Sequence, residues 1–108
     1  MGWPMNKLEL IVSLNRSKSK EFTQSLQILK EKIEDISTSF HVNESQDALS
    51  FSLLVQWESD VQMHRALTSD EFKILSGAIN SLCDKTTIRF NDKEVGKHIS
   101  DLKTIYQD

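Results

Sequence analysis

The chain has 108 residues, of which 13 are basic and 16 acidic, and its formal net charge is −3. This length fits one domain with one core, and the lack of a basic excess argues against nucleic acid and anionic membranes as partners. Since Cys83 is the single cysteine, an intrachain disulfide, a cysteine-rich zinc site and a CxxC redox pair are excluded.

Two further features bear on the cellular compartment. No apolar run approaches the ~20 residues that a membrane-spanning helix needs. The segment from Met1 to Met5 lacks the basic region and apolar stretch of a secretory signal. We therefore expect a cytoplasmic protein that does not enter a membrane.

The first half of the chain predicts a strand, a long helix and a second strand. Every second residue is apolar in the first strand: Leu8, Leu10, Val12 and Leu14. From Ser17 the apolar spacing changes to 4, 3, 4 and 3, which predicts a helix buried along one face: Phe22, Leu26, Leu29, Ile33 and Ile36. Phe40 and Val42 begin a short strand, and the polar run 43–47 indicates a hairpin loop.

The second half predicts a strand, two helices and a last strand. Apolar residues occupy the odd positions of the clearest strand: Leu49, Phe51, Leu53, Val55 and Trp57. A short helix over 59–66 and a longer one over 69–83 follow, the latter with a buried stripe: Phe72, Leu75, Ile79 and Leu82. The last strand alternates at Thr86, Ile88 and Phe90 and ends at the Asn91-Asp92 turn. Terminal helical turns are indicated at Ile99, Leu102 and Tyr106.

Two capping boxes of the pattern S/T-x-x-E/Q support the starts of these two helices. Ser59 with Gln62 precedes the short helix, and Thr68 with Glu71 precedes the longer one. In each pair the hydroxyl is expected to accept a hydrogen bond from the main chain three residues later.

The element order β-α-β-β-α-β predicts an α+β ferredoxin-like fold with an antiparallel sheet. We place this domain at residues 6–95 and a C-terminal extension at 96–108. Two helices cover only one face of such a sheet, and the other face would carry Ile11 and Leu54 among polar residues. Because a face-to-face pairing would bury this surface, we expect a homodimer.

The residues capable of chemistry form no established catalytic motif. His41, His64 and His98 lie on different predicted elements, so no metal site is expected. Cys83, beside Leu82, is interpreted as a packing residue. His64 is either an exposed or cleft-lining histidine or a general base.

Two other residues have both a structural and a functional interpretation. Trp57 ends the clearest strand, where it is either a core tryptophan or the wall of a pocket. Asn15, next to Arg16, ends the first strand, where a polar residue commonly marks the exit from a sheet. Neither residue identifies an activity by itself.

Two segments resemble the antibiotic biosynthesis monooxygenase family of dimeric α/β barrels. They are Val55–Ser59 (VQWES), a strand ending in an aromatic residue and Glu-Ser, and Thr68–Lys73 (TSDEFK), a serine-led step into a longer helix. The resemblance extends over about residues 6–95. It implies oxidation of a quinol, an anthrone or a similar small aromatic compound by O2, with no metal or flavin cofactor.

The resemblance also places two differences at functional positions of the family. Nine residues after the strand-end aromatic, where antibiotic-type members often have histidine and haem-degrading members tryptophan, this chain has Ala66. The haem-degrading members would have their axial histidine at Ser76, although Asn15-Arg16 matches their asparagine-arginine pair. Since alanine cannot distort a porphyrin and serine is a poor axial ligand, we expect no haem degradation.

Two hypotheses follow. In the first, the protein is a cofactor-independent monooxygenase in which Trp57 and Phe72 wall the substrate pocket, Asn15 donates a hydrogen bond to the substrate oxyanion and His64 acts as base. In the second, Ala66 and Ser76 mark a dimeric small-molecule-binding or regulatory domain that has lost catalysis. A buried pocket of several hundred Å3, lined by Trp57 and reached by Asn15 and His64, would favour the first.

Overall fold

Antiparallel strands form one sheet in the computed structural model, which describes residues 5–106 of the chain. The strands are β1 Asn6–Ser13, β2 Ser39–Glu44, β3 Ser50–Trp57, β4 Lys85–Phe90 and β5 Lys93–Gly96, in the spatial order β2-β3-β1-β4-β5. The helices are α1 Arg16–Asp35, α2 Asp60–Leu67, α3 Asp70–Leu82 and α4 Lys103–Tyr106. This confirms the ferredoxin-like α+β fold. Within residues 5–106 no helix is long and apolar enough to cross a membrane.

The core lies between one face of the sheet and the helices α1 and α3. At its centre Leu10 pairs with Leu53 of β3 and with Ile88 of β4, and all three are fully buried. The predicted stripes of both helices, represented by Phe22 and Phe72, are buried as well. Burial of each such side chain contributes ~1.5–3 kcal/mol, so the local apolar period determines which face of each element turns inward.

The opposite face of the sheet is exposed and mixed in character. Ile11 is 37% exposed there, and Leu54 is half-buried. Glu9 lies between them, 4.0 Å from the guanidinium of Arg89 and 3.3 Å from the hydroxyl of Ser52, which donates to it. The face is therefore neither a second core nor fully polar, as the alternation predicts.

The second predicted capping box is wrong by one residue. The N-cap of α3 is Ser69, whose Oγ accepts a hydrogen bond of 3.3 Å from the main-chain nitrogen of Phe72. Thr68 instead ends α2 and donates its hydroxyl to the carbonyl oxygen of His64 at 2.8 Å. Thr68 therefore does not cap α3 with Glu71 as predicted.

The chain continues in the sheet beyond the predicted last strand. Asn91 and Asp92 have φ values of 49° and 71°, as a two-residue type I′ hairpin requires, and they join β4 to β5. The strand β5 extends across the 95/96 boundary that we placed between domain and extension. The predicted terminal helical turns are confirmed by a 3₁₀ turn at Ile99–Leu102 and by α4, and Leu102 is buried against its own chain.

Candidate functional site

An open groove of about 780 Å3 lies between α2, the start of β1, the end of β4 and the C-terminal helix α4. We call it the α2 groove. Its apolar lining includes Phe90, Ile105 and Met63, and its polar lining includes His64 and Arg65. Its other lining residues are Asn6, Asp60, Val61, Thr68 and Tyr106.

The sequence of α2 explains which side chains reach this groove. Ser59 caps the helix by accepting a hydrogen bond of 3.1 Å from the main-chain nitrogen of Gln62, as predicted. The helix buries three apolar residues, Met63, Ala66 and Leu67. Helical geometry then turns the adjacent His64 and Arg65 outwards, and both are exposed at the rim of the groove.

Contacts with two distant parts of the chain fix the borders of the groove. Asn6, at the start of β1, donates its side-chain amide to the carboxylate of Asp60 at 2.6 Å. Tyr106 of α4 meets His64 edge to face, with ring centroids 6.1 Å apart and an interplanar angle of 89°. The phenol ring and the imidazole therefore form one wall of the groove. An aromatic ligand could stack against the ring there, and the imidazole could exchange a proton with it.

Trp57 lies in the core rather than at the α2 groove. Its side chain is fully buried, and its indole Nε1 donates a hydrogen bond of 2.9 Å to the carbonyl oxygen of Ile36. Its ring centroid is 5.9 Å from that of Phe72, at an interplanar angle of 47°. Large side chains thus fill the space around Trp57, where the first hypothesis requires a buried pocket.

Phe72 borders a different groove. This second groove, of about 420 Å3, separates α3 from the C-terminal segment, and we call it the α3 groove. Phe72 is only 1% exposed, so it forms part of the groove floor. Ser76 lies along the same groove and is half-buried.

Asn15 lies at the other end of the sheet from His64. It is the N-cap residue of α1, is exposed, and its side-chain oxygen accepts a hydrogen bond from the hydroxyl of Ser17. The length of β1 separates it from the α2 groove, a distance of roughly 24 Å for eight residues in an antiparallel strand. The structure of one chain therefore does not bring Asn15 and His64 together.

Ala66, nine residues after Trp57, lies inside the core. Ala66 is 1% exposed on the buried side of α2, two residues from the exposed His64. Two residues correspond to a rotation of about 200° around a helix, so the two side chains have opposite surroundings.

Cys83 has the properties of a packing residue. Burial raises the pKa of its thiol to about 12, and the neighbouring carboxylate of Asp84 adds to this effect. The thiol is therefore protonated at neutral pH and is a weak nucleophile. In the part of the chain that the structure describes, no three His, Cys, Asp or Glu side chains lie close enough together to hold a metal ion.

Arg65, Asn6 and Tyr106 line the α2 groove, but the sequence predicts none of them as a site residue and places Tyr106 only in a terminal helical turn. The position of Arg65 could have been predicted, because Arg65 adjoins His64 on the polar face of a short amphipathic helix. No sequence pattern predicts that Asn6 and Tyr106 line the groove, since they reach it from opposite ends of the chain.

Comparisons with known proteins identify the fold. No protein-family model matches the sequence, and no curated protein matches it. Among solved structures, a conserved protein from Methanosarcina mazei Go1 has a TM-score of 0.73 at 18% identity, over 84% of this chain and 94% of that one. A putative antibiotic biosynthesis monooxygenase from Nitrosomonas europaea has a TM-score of 0.72 at 12% identity, over 83% and 89%. A further one from Caulobacter crescentus CB15 has a TM-score of 0.71 at 16% identity, over 82% and 88%.

These likenesses show that the chain has the fold of antibiotic biosynthesis monooxygenases, which confirms the fold expected from the sequence resemblance. At identities below 20% they concern the fold alone. The class defined by fold and site is an α+β domain of this architecture with an open groove beside a histidine.

Proposed function

We propose that the protein binds a small aromatic compound in the α2 groove, as a non-catalytic member of this fold class. The observation that carries the proposal is the groove itself. Its volume of about 780 Å3 is within the roughly 300–1,000 Å3 of typical ligand sites. Aromatic and aliphatic side chains provide a surface for stacking, and His64, Arg65 and Tyr106 provide polar groups that would orient a phenolic oxygen.

Three features favour binding without catalysis. Ala66 supplies no proton-transferring group at the family position, and it faces the core. Trp57 is enclosed by packing and borders neither groove. Asn15 is held at the far end of β1, where it cannot donate to a ligand of the same chain beside His64.

A titration with hydroquinone, followed by NMR chemical shifts of the backbone amides, tests binding. We expect the largest shifts at α2 and α4, and weaker binding by about tenfold in Arg65→Ala if the guanidinium holds a phenolic oxygen. Arg16→Ala, an exposed arginine at the other end of the sheet, is the matched control and should bind as the wild type does. Shifts that are absent from α2, or equal affinities of both variants, would contradict the proposal.

A second candidate function is cofactor-independent oxidation of a quinol or anthrone by O2, which the named fold relatives and the position of His64 favour. In anthrone oxidation, His64 would take one methylene proton, and the resulting carbanion would react with O2. The methylene becomes a carbonyl that keeps one oxygen atom, and the other leaves as water with the two methylene hydrogens. The surrounding residues would orient the substrate and exclude water.

Oxygen uptake by metal-free protein, offered a panel of quinols and anthrones, separates the two candidates. Turnover above the uncatalysed rate that is lost in His64→Ala but kept in Arg16→Ala, the control variant of the titration, would establish the second function. Binding without turnover would establish the first.

We also propose that the protein is a homodimer in the cytoplasm, where the single Cys83 would remain a thiol. The exposed sheet face supports pairing, because Ile11 stands on it beside the half-buried Leu54. Sedimentation measurements test it: Ile11→Lys should weaken self-association, whereas Ile28→Lys, which changes a 68% exposed isoleucine on α1, should not. A wild-type monomer at all concentrations would contradict the dimer.

A further inference from the structure

The C-terminal segment, residues 97–106, stands between the two grooves. Tyr106 borders both of them, Ile105 borders the α2 groove, and Leu102 borders the α3 groove. One short element thus lines part of both grooves.

The segment is a self-contained unit. The carboxylate of Asp101 accepts hydrogen bonds from the main-chain nitrogens of Lys97 and His98, at 3.2 and 3.1 Å. Thr104 donates its hydroxyl to the carbonyl oxygen of Asp101 at 2.8 Å. Because these bonds are all internal to the segment, they can be kept if it moves as a unit.

The segment is attached to the helices mainly through apolar side chains. Leu102 is 5% exposed, whereas Ile99, Ile105 and Tyr106 are only half-buried. Among the described residues, no hydrogen bond or ion pair joins residues 97–106 to α2 or α3. A short segment with one fully packed side chain is the kind of element that opens locally without global unfolding.

The α3 groove beneath the segment has its own chemical character. The helices line it with Leu67, Phe72 and Lys73, whereas Leu102 and Lys103 line it from the segment itself. The apolar wall that the helices provide, with a lysine among its residues, suits a flat aromatic body that carries an acidic group.

We propose that residues 97–106 form a lid whose opening joins the α2 and α3 grooves and admits an acidic aromatic compound of two or more fused rings. This rests on the proposed function in that the α2 groove holds one part of the ligand. The second part lies in the α3 groove, and Leu102 is the contact that keeps the lid closed.

Gly77 provides a way to block the α3 groove alone. A Cβ atom added there would meet no other heavy atom within 4 Å. A larger side chain would therefore extend into the open groove without disturbing the backbone, and it would replace a residue with poor helix propensity. Gly77→Leu should fill the groove, and Gly77→Ala is its matched control.

The experiment compares anthraquinone-2-sulfonate, a fused-ring anion, with hydroquinone, the neutral single-ring compound that the proposed function places in the α2 groove. Association rate constants are measured by stopped flow, and affinities by calorimetry. Leu102→Ala should raise the association rate constant of the fused-ring probe at least about fivefold, since that rate follows the population of the open form. Gly77→Leu should weaken its affinity at least about tenfold, with Gly77→Ala close to wild type.

Hydroquinone should respond to neither change by more than about twofold, because the α2 groove alone holds a single ring. If Leu102→Ala does not fold, Tyr106→Ala removes the ring that borders both grooves and should likewise speed association of the fused-ring probe.

Anthraquinone-2-sulfonate that fails to bind, or that binds equally to all variants, overturns the lid. That result leaves the proposed function standing if hydroquinone still shifts the amides of α2. Conversely, a fused-ring probe that responds as expected, together with no hydroquinone binding, supports the lid and contradicts a single-ring ligand in the α2 groove.

Discussion

The indole Nε1 of Trp57 donates a hydrogen bond of 2.9 Å to the carbonyl oxygen of Ile36 and thereby links the end of β3 to the end of α1. Ile36 is the C-cap residue of α1, so its carbonyl has no partner within the helix. A tryptophan in this position satisfies that carbonyl while its ring system packs against Phe72.

Trp57→Phe tests the importance of this link. The smaller ring leaves a cavity and an unpaired carbonyl, so we expect the free energy of unfolding to fall by about 1–3 kcal/mol. Urea denaturation followed by circular dichroism measures it. Val61→Ala, at a 69% exposed position, should change stability by less than about 0.5 kcal/mol. Equal losses in the two variants would show that the indole hydrogen bond and its packing contribute little.

Alanine substitutions at Ser69 and Thr68 distinguish the observed N-cap of α3 from the predicted one. Ser69→Ala removes the acceptor of the Phe72 main-chain N–H and should cost about 1 kcal/mol. Thr68→Ala removes only a hydroxyl that donates to the carbonyl of His64 and should cost about 0.5 kcal/mol or less. The same urea titration measures both, and a larger loss for Thr68→Ala would reverse the assignment.

The carboxylate of Asp92 makes the free energy of unfolding depend on pH in the acid range. Lys7, whose Nζ lies 2.7 Å from the carboxylate, donates a hydrogen bond to it and attracts its charge, which lowers the pKa of Asp92 below its ordinary value of 3.8. Since the folded-state pKa is the lower one, this stabilisation is present above pH 3.8 and is lost as the pH falls through the folded-state pKa. Unfolding measured below pH 4 should therefore depend less steeply on pH in Asp92→Asn than in the wild type.

Two controls apply to this prediction. Lys7→Gln should reduce the same part of the pH dependence, because it removes the partner of Asp92. Glu94→Gln changes an exposed carboxylate on the same hairpin and should leave that part intact. An Asp92→Asn profile parallel to the wild-type profile would contradict the prediction.

Cys83 should react slowly with alkylating agents in the folded protein. A pKa of about 12 gives a thiolate fraction at pH 8 about a thousandfold below that of a thiol with a pKa near 9, and the greater nucleophilicity of that thiolate recovers only part of the loss. We expect iodoacetamide to react at least about thirtyfold more slowly with the native than with the urea-unfolded protein. Mass spectrometry of quenched samples measures both rates, and equal rates would mean that the thiol is more exposed than the structure shows.

Local periodicity was sufficient to predict most elements of the fold. The alternation ending at Trp57 and the stripe from Phe72 to Leu82 predicted β3 and α3, because a strand repeats every two residues and a helix every 3.6. The cap was harder to locate, since Thr68 and Ser69 are adjacent hydroxyl residues that can both precede a helix. Which one caps α3 depends on where the chain changes direction after α2.

The strand β5 was not predicted, because it has only Val95 as an apolar residue. Its pairing with β4 follows from the left-handed turn at Asn91 and Asp92.

The sequence by itself determined the α+β class, the burial of alternate strand residues and the buried stripes of α1 and α3, because each depends on neighbours along one element. Only the tertiary structure decided that Tyr106, 42 positions after His64 in the chain, stands against it, and that Trp57 is enclosed by packing. It also decided that Asn15 is separated from His64 by the length of β1. These relationships depend on how elements that are far apart in the sequence pack together, and periodicity within one element gives no information about that packing.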